Sequence, residues 1–245
     1  MPEHASSVTH LEISKCPGLE DIEGFLAIFP NLQSYRHRYV TTKWKKPLSS
    51  RRMYQALLQA KETLREVWLD ISVRNFERAP AGLKWPTFRI FTALEVLHVP
   101  IFFLEDFTGE RRIIDLTGLL PPCLKTLHIL DAAYNTLPSL LPSLLDYIHS
   151  PHSQNLIELI IASTPHYVEG GFVIILDESV KSGLQLTDDT LRWDECADPL
   201  CQRLKELERA CRRRQVRFDF QIFDPSSDLA EAWEFEDPFE KISCV

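Results

Sequence analysis

The chain has 245 residues, 44% of them hydrophobic, which is enough to bury a sizeable core as one large domain or one continuous array. A formal charge of −8 argues against a protein that tracks nucleic-acid phosphates, since that needs a basic face to release counterions. No window approaches the roughly 18 to 20 apolar residues of a membrane span, the opening "MPEHASSVTH" has no secretory pattern, and six cysteines with no N-x-S/T sequon suit a reducing compartment, so a cytoplasmic or nuclear protein is expected.

A short polar segment, residues 1–7, comes first, and from Val8 the chain repeats itself. The frame L-x-x-L-x-L recurs as "VTHLEI" from Val8, "LREVWL" from Leu64, "LEVLHV" from Leu94, "LKTLHI" from Leu124 and "LIELII" from Leu156, with a degenerate copy, "LQSYRH", from Leu32. Successive starts differ by 24, 32, 30, 30 and 32 residues. Neither a helix nor a lone strand asks for apolar residues spaced three and then two apart. A coil of a leucine-rich-repeat solenoid does: the fourth and sixth positions point inward from a short parallel strand, the first anchors the turn before it, and stacked coils align them into ladders. The first copy continues through Cys16 and Leu19 in the consensus manner; later copies do not.

Between the frames lie helix signals. Ser49 and Ser50 can cap a helix presenting Met53, Leu57 and Leu64. The segment 137–148, "LPSLLPSLLDYI", spaces Leu141, Leu144, Leu145 and Ile148 to bury one helix face. Asp198 and Pro199 open a helix with Leu200, Leu204, Leu207 and Cys211 on one side, and Arg212, Arg213 and Arg214 complement the macrodipole at its end. A seventh strand, "VRFDFQIF" from Val216, follows, leaving room for a diverged repeat or an insertion in 162–212. The expected architecture is an α/β solenoid over residues 8–223, a curved parallel sheet of about seven strands with helices on its convex side, then an acidic tail, 224–245. A doubly wound α/β domain is the alternative, disfavoured because no glycine-rich phosphate loop follows any strand.

"FPNLQSY", "LREVWLDI", "FTALEVLHV", "LLPPCLKTLHI", "NLIELII" and the close "LCQRLKELERACRRRQVRFDF" resemble the irregular leucine-rich-repeat regions of fungal F-box-like proteins. The resemblance implies a substrate-recognition role in a cullin-based ubiquitin ligase, to which an F-box recruits the adaptor. No F-box precedes the first frame, and the F-box-like "LPSLLPSLLDYI" sits where a connecting helix is needed. The strand from Val8 is thus expected to be a bare edge that an F-box domain or a partner chain covers. A free-standing scaffold is the second expectation.

No G-x-S-x-G, H-E-x-x-H or comparable signature is present, so neither catalytic residues nor a cofactor are expected; a small α/β hydrolase is the least favoured reading. Cys196, Cys201 and Cys211 lack the C-x2-C pairing of a zinc site, and His98 with His128 supplies only two ligands, so no metal is expected. Asp188, Asp189, Asp194 and Glu195, beside Trp193, read as acids at a helix start. Trp233, Phe235 and Phe239 belong to the tail. The fifth frame position should line the concave face with Glu12, Arg36, Trp68, His98, His128, Ile160 and Arg217. Trp, His and Arg with little Lys is the chemistry of a protein interface, so this column is the candidate binding surface for a protein partner. Both histidines are expected as surface or interface residues.

Overall fold

In the computed structural model the described residues are 7–14, 22–41, 50–73, 85–105, 114–132, 136–163, 167–168, 171–172, 185–187, 190–192 and 199–222. Seven strands form one sheet: β1 (His10–Ser14), β2 (Ser34–Thr41), β3 (Glu66–Val73), β4 (Val96–Pro100), β5 (Thr126–Leu130), β6 (Glu158–Ser163) and β11 (Arg217–Ile222). All pairings within it are parallel, and the spatial order is the chain order. A doubly wound sheet reverses its order at a switch point, and this one does not. The fold is α/β with a seven-stranded, all-parallel sheet.

The register is that of the repeated frame. Third positions pair in one line, His10 with Ser34, then Glu66, Val96, Thr126, Glu158 and Arg217. The backbone shows why each frame begins as it does. The amides of Leu32, Leu94, Leu124 and Leu156 each donate to the carbonyl three residues earlier, so "FPNL", "FTAL", "PPCL" and "SQNL" are equivalent tight turns into a strand. The second-position carbonyl of each frame from β1 to β5 then accepts two amides of the next, while Ile157 O, before the last strand, takes Arg217 N at 2.8 Å. Thr9 O takes Gln33 N and Ser34 N at 2.7 and 2.9 Å; Gln33, Arg65, Glu95 and Lys125 do the same for the coils that follow. Three residues placed just before a frame extend the contact: Thr63 Oγ1 donates to Leu32 O at 2.9 Å, Cys123 Sγ to Leu94 O at 3.1 Å, and Asn155 Nδ2 to Pro122 O at 2.8 Å.

The fourth and sixth positions form the core. Tyr35, Val67, Leu97, Leu127 and Leu159 are buried in the fourth, and Ile13, His37, Leu69, Val99, Ile129, Ile161 and Phe220 in the sixth. All but His37 share one apolar cluster with residues of α1 (Ile22–Leu26), α2 (Ser50–Leu57), α3 (Leu116–Leu119), α4 (Leu137–His149) and α5 (Pro199–Arg213). The helices therefore pack on this face of the sheet. α2 carries Met53 and Leu57 inward, as its spacing predicts, whereas Leu64 lies beyond it as a frame residue. Among the described residues between β3 and β4 there is no helix; Trp85, Phe88 and Phe91, all fully buried, fill that space, with Trp85 stacked on Phe88 at 4.6 Å. Aromatic bulk substitutes for a helix face.

Helix α4 buries Leu137, Leu140, Leu141, Leu144, Tyr147 and Ile148, so the F-box-like segment is a connecting helix of the core. Pro142 inside it cannot donate to the Pro138 carbonyl, and Arg203 Nη1 of α5 donates to that oxygen instead, at 3.0 Å. α5 begins at Pro199 and ends in a Schellman motif, with Gln215 at φ 59° and Val216 N bonded to Cys211 O at 2.9 Å. Because β6 pairs directly with β11, the residues between β6 and α5 contribute no described strand to the sheet. They include two small antiparallel pairs, β7 (Tyr167–Val168) with β8 (Gly171–Phe172) and β9 (Gln185–Thr187) with β10 (Thr190–Arg192). Cys16, Cys196, Asp188, Asp189, Trp193, Asp194, Glu195 and the tail with Trp233, Phe235 and Phe239 lie outside the described residues.

Two measurements check the packing. Leu127→Ala removes a fully buried side chain from the middle of a ladder and should cost about 2 to 5 kcal/mol, while Ile157→Ala, at a side chain 59% exposed, should stay within about 0.5 kcal/mol. Comparable shifts in urea midpoint for the two would contradict the inward assignment. Amide hydrogen exchange should be fast at 10–14, since β1 is an edge strand with Leu11 only half-buried, and slow at 126–130, flanked on both sides. Equal protection at the two strands in a monomeric sample would rule out an open edge at β1.

Candidate functional site

The opposite face of the sheet carries the third and fifth frame positions. The fifth-position line runs Glu12, Arg36, Trp68, His98, His128, Ile160 and Asp219. Six of the seven residues expected there are in place. Arg217 is the correction: it shares the face but stands at the third position, opposite Glu158, because the last strand enters the sheet two residues earlier than its alternation implies. A period of two defines a face and leaves the register open by any even step.

The side chains along this line are tied to one another. Glu66 accepts from Arg36 Nε and Nη2 at 3.1 and 2.9 Å, and the Arg36 guanidinium lies 5.1 Å from the centre of the Trp68 ring. His98, from the next strand, stacks on Trp68 at 3.8 Å with 12° between the planes. His98 Nδ1 and His128 Nδ1 are 3.2 Å apart, and His128 Nε2 is 3.3 Å from Glu158 Oε2. Arg217 Nη1 closes the row on Glu158 Oε1 at 3.0 Å. With Glu158 ionised, His128 donates through Nε2, so its Nδ1 must accept and His98 Nδ1 must donate. That one tautomer satisfies every contact in the row.

Burial follows from this crowding. His98 is 4% exposed, and His128 is half-buried, so the expectation of two surface histidines is corrected. Large rings at adjacent strands, about 5 Å apart, cover each other. His98 consequently stays neutral: burial first, then the neighbouring His128, Arg36 and Arg38, push its pKa down to about 2. Burial also lowers His128, against the pull of Glu158 toward the charged form. Glu12, at the β1 end, is exposed and accepts from Ser14 Oγ at 3.0 Å.

Sequence reasoning missed the end of this face beyond Arg36. Arg38 Nε pairs with Asp70 at 3.5 Å, and Asp131, at φ 51° just after β5, has its carboxyl pushed up to about 7 by burial and by the Asp70 charge. Asp131 lies outside every frame position that repeats, so no pattern pointed to it. Among the described residues no group of three or more His, Cys, Asp or Glu could hold a metal ion. Cys201 and Cys211 are buried on the inner side of α5, with the Cys211 thiol pushed up to about 12 by burial. No described helix is long and apolar enough to cross a membrane.

No protein-family model matches the chain, and no curated protein or solved structure matches it either.

His98 and Asp131 impose opposite pH dependences. Unfolded His98 gains its proton near pH 6.5 and folded His98 only near 2, so its contribution is complete above about 6.5 and is lost as pH falls. Asp131, raised to about 7 when folded, contributes most at acidic pH and loses that contribution as pH rises through 7. His98→Gln should therefore narrow its stability gap to wild type by about 2 kcal/mol between pH 7.5 and 5, whereas Asp131→Asn should gain on wild type over the rise from 5 to 7.5. Parallel urea-midpoint profiles for wild type and His98→Gln would contradict the buried, neutral imidazole.

Proposed function

We propose that this chain is a protein-binding module without enzymatic activity, built as a leucine-rich-repeat-type solenoid whose polar sheet face is concave and receives a protein partner. What carries the reading is the row Glu66, Arg36, Trp68, His98, His128, Glu158, Arg217. Its ring and guanidinium groups hold one another in a single geometry before any partner arrives, so little side-chain entropy remains to be lost on binding. Planar, amphipathic groups of this kind dominate interface energies. The in-line strand order and the hydrogen bonds from each frame to the next support a solenoid, in which each strand would belong to one coil of a stacked array.

The biological setting we propose is substrate recognition in an F-box-type ubiquitin ligase of the cytoplasm or nucleus, with the adaptor engaged through an F-box that this chain does not itself show. A free-standing scaffold shares the face and lacks the adaptor.

Affinity purification from the native organism tests both levels. Partners recovered by wild type and lost with Trp68→Ala, at a cost of about 2 kcal/mol or more in binding, are expected, with Glu12→Ala retaining them. Partners held equally by all three would place the interface elsewhere. Recovery of the ligase adaptor favours the ubiquitin role, and its absence among otherwise specific partners favours the scaffold.

A further inference from the structure

The basic end of the chain's last helix takes no part in the row on the sheet. Residues 199–217 carry seven cations against two acids, +5 in a chain whose net charge is −8. Much of this charge is engaged. Arg203 bonds the Pro138 carbonyl, Arg212 pairs with Glu208 at 2.8 Å, and Arg217 pairs with Glu158. A cavity of about 300 Å³ lies between the C-terminal end of α4 and the exposed side of α5, lined by His149, Gln202, Glu206, Arg209, Ala210 and Arg213. Among the described residues Glu206, Arg209 and Arg213 have no charged partner.

We propose that this cavity binds a phosphomonoester that carries a hydroxyl or N–H donor near its phosphate. Arg209 and Arg213 are four residues apart and so present their guanidinium forks on one side of α5. Two planar forks suit a dianion with three acceptor oxygens better than a carboxylate, which one fork already satisfies. The macrodipole accounts for cations in the last turn, where Arg212 and Arg213 stand, but not for Arg209 or for an acid in the same wall. Glu206 can only accept when ionised, so it selects a ligand with a donor beside the anion and disfavours bare phosphate. The ester can be a soluble metabolite or a lipid headgroup, since both present the same group.

The test is titration calorimetry on the full chain with glycerol 2-phosphate, which carries hydroxyls, against phenyl phosphate, which does not. Glycerol 2-phosphate should bind saturably and more tightly of the two, and Glu206→Gln should erase the preference. Arg209→Gln with Arg213→Gln should weaken binding at least about tenfold, and Arg212→Gln with Arg214→Gln, an equal loss of charge, less than about threefold. Should the glutamine pair fail to fold by circular dichroism, Arg209→Lys with Arg213→Lys keeps the charge, removes the forks and should still lose about tenfold. Vesicles of phosphatidylcholine doped with phosphatidylinositol 4-phosphate, a phosphomonoester flanked by ring hydroxyls, identify the source: binding there as well as to the soluble ester assigns a lipid headgroup, and soluble binding alone assigns a free phosphomonoester. Equal losses in the two glutamine pairs, no saturation by either ester up to about 10 mM, or vesicle binding without soluble binding would each overturn the site in favour of diffuse surface charge.

Discussion

The rest of the structure depends on one backbone contact, the second-position carbonyl of a frame accepting two amides of the next, repeated at each step from β1 to β6. It holds consecutive strands parallel and in fixed register while the intervening segment goes away from the sheet and returns. Because the register never slips by one residue, all apolar frame positions fall on one face, and a single cluster can include residues of every helix. A slip of one would turn Leu127 outward and His128 inward. The side chains of Thr63, Cys123 and Asn155, each bonded to a carbonyl of the preceding coil, reinforce that register where the chain enters the strand.

The same alignment decides the chemistry of the other face. Aligned residues on neighbouring parallel strands stand about 5 Å apart, so large rings must stack and charges must alternate or pair. Both happen: Trp68 lies between Arg36 of one strand and His98 of another, and Glu66 and Glu158 neutralise the arginines at the two ends of the row. Desolvation falls hardest on His98, where stacking is tightest. A row whose members are already satisfied is a rigid surface, which differs from a set of free side chains waiting to be ordered.

Where α4 meets α5 the arrangement is different, because a proline inside α4 frees a carbonyl and Arg203 answers it. That bond uses one cation of the α5 stretch for structure and helps anchor the helix whose other side carries Arg209 and Arg213. Cations serving as structural donors and cations left in solvent therefore sit on one helix, separated by which side of it they occupy.

By itself the sequence determined the strands, their number, and the line from Glu12 to Ile160, because a frame repeated about every 30 residues specifies which position of one coil lies beside which position of the next. It also marked "LPSLLPSLLDYI" as a helix of the core, from its apolar spacing. It could not place Arg217, since a lone alternating strand is compatible with any even shift, and the hydrogen bonds to β6 chose the shift that sets Arg217 against Glu158. Nor could it say that His98 is buried and neutral, which depends on rings from three strands closing over one another, or that Asp131 holds a proton near neutral pH, which depends on an Asp70 charge sixty-one positions away in the chain. Identity and spacing along the chain are local quantities, whereas desolvation and the pairing of charges are properties of the space between coils, and only the tertiary structure creates that space.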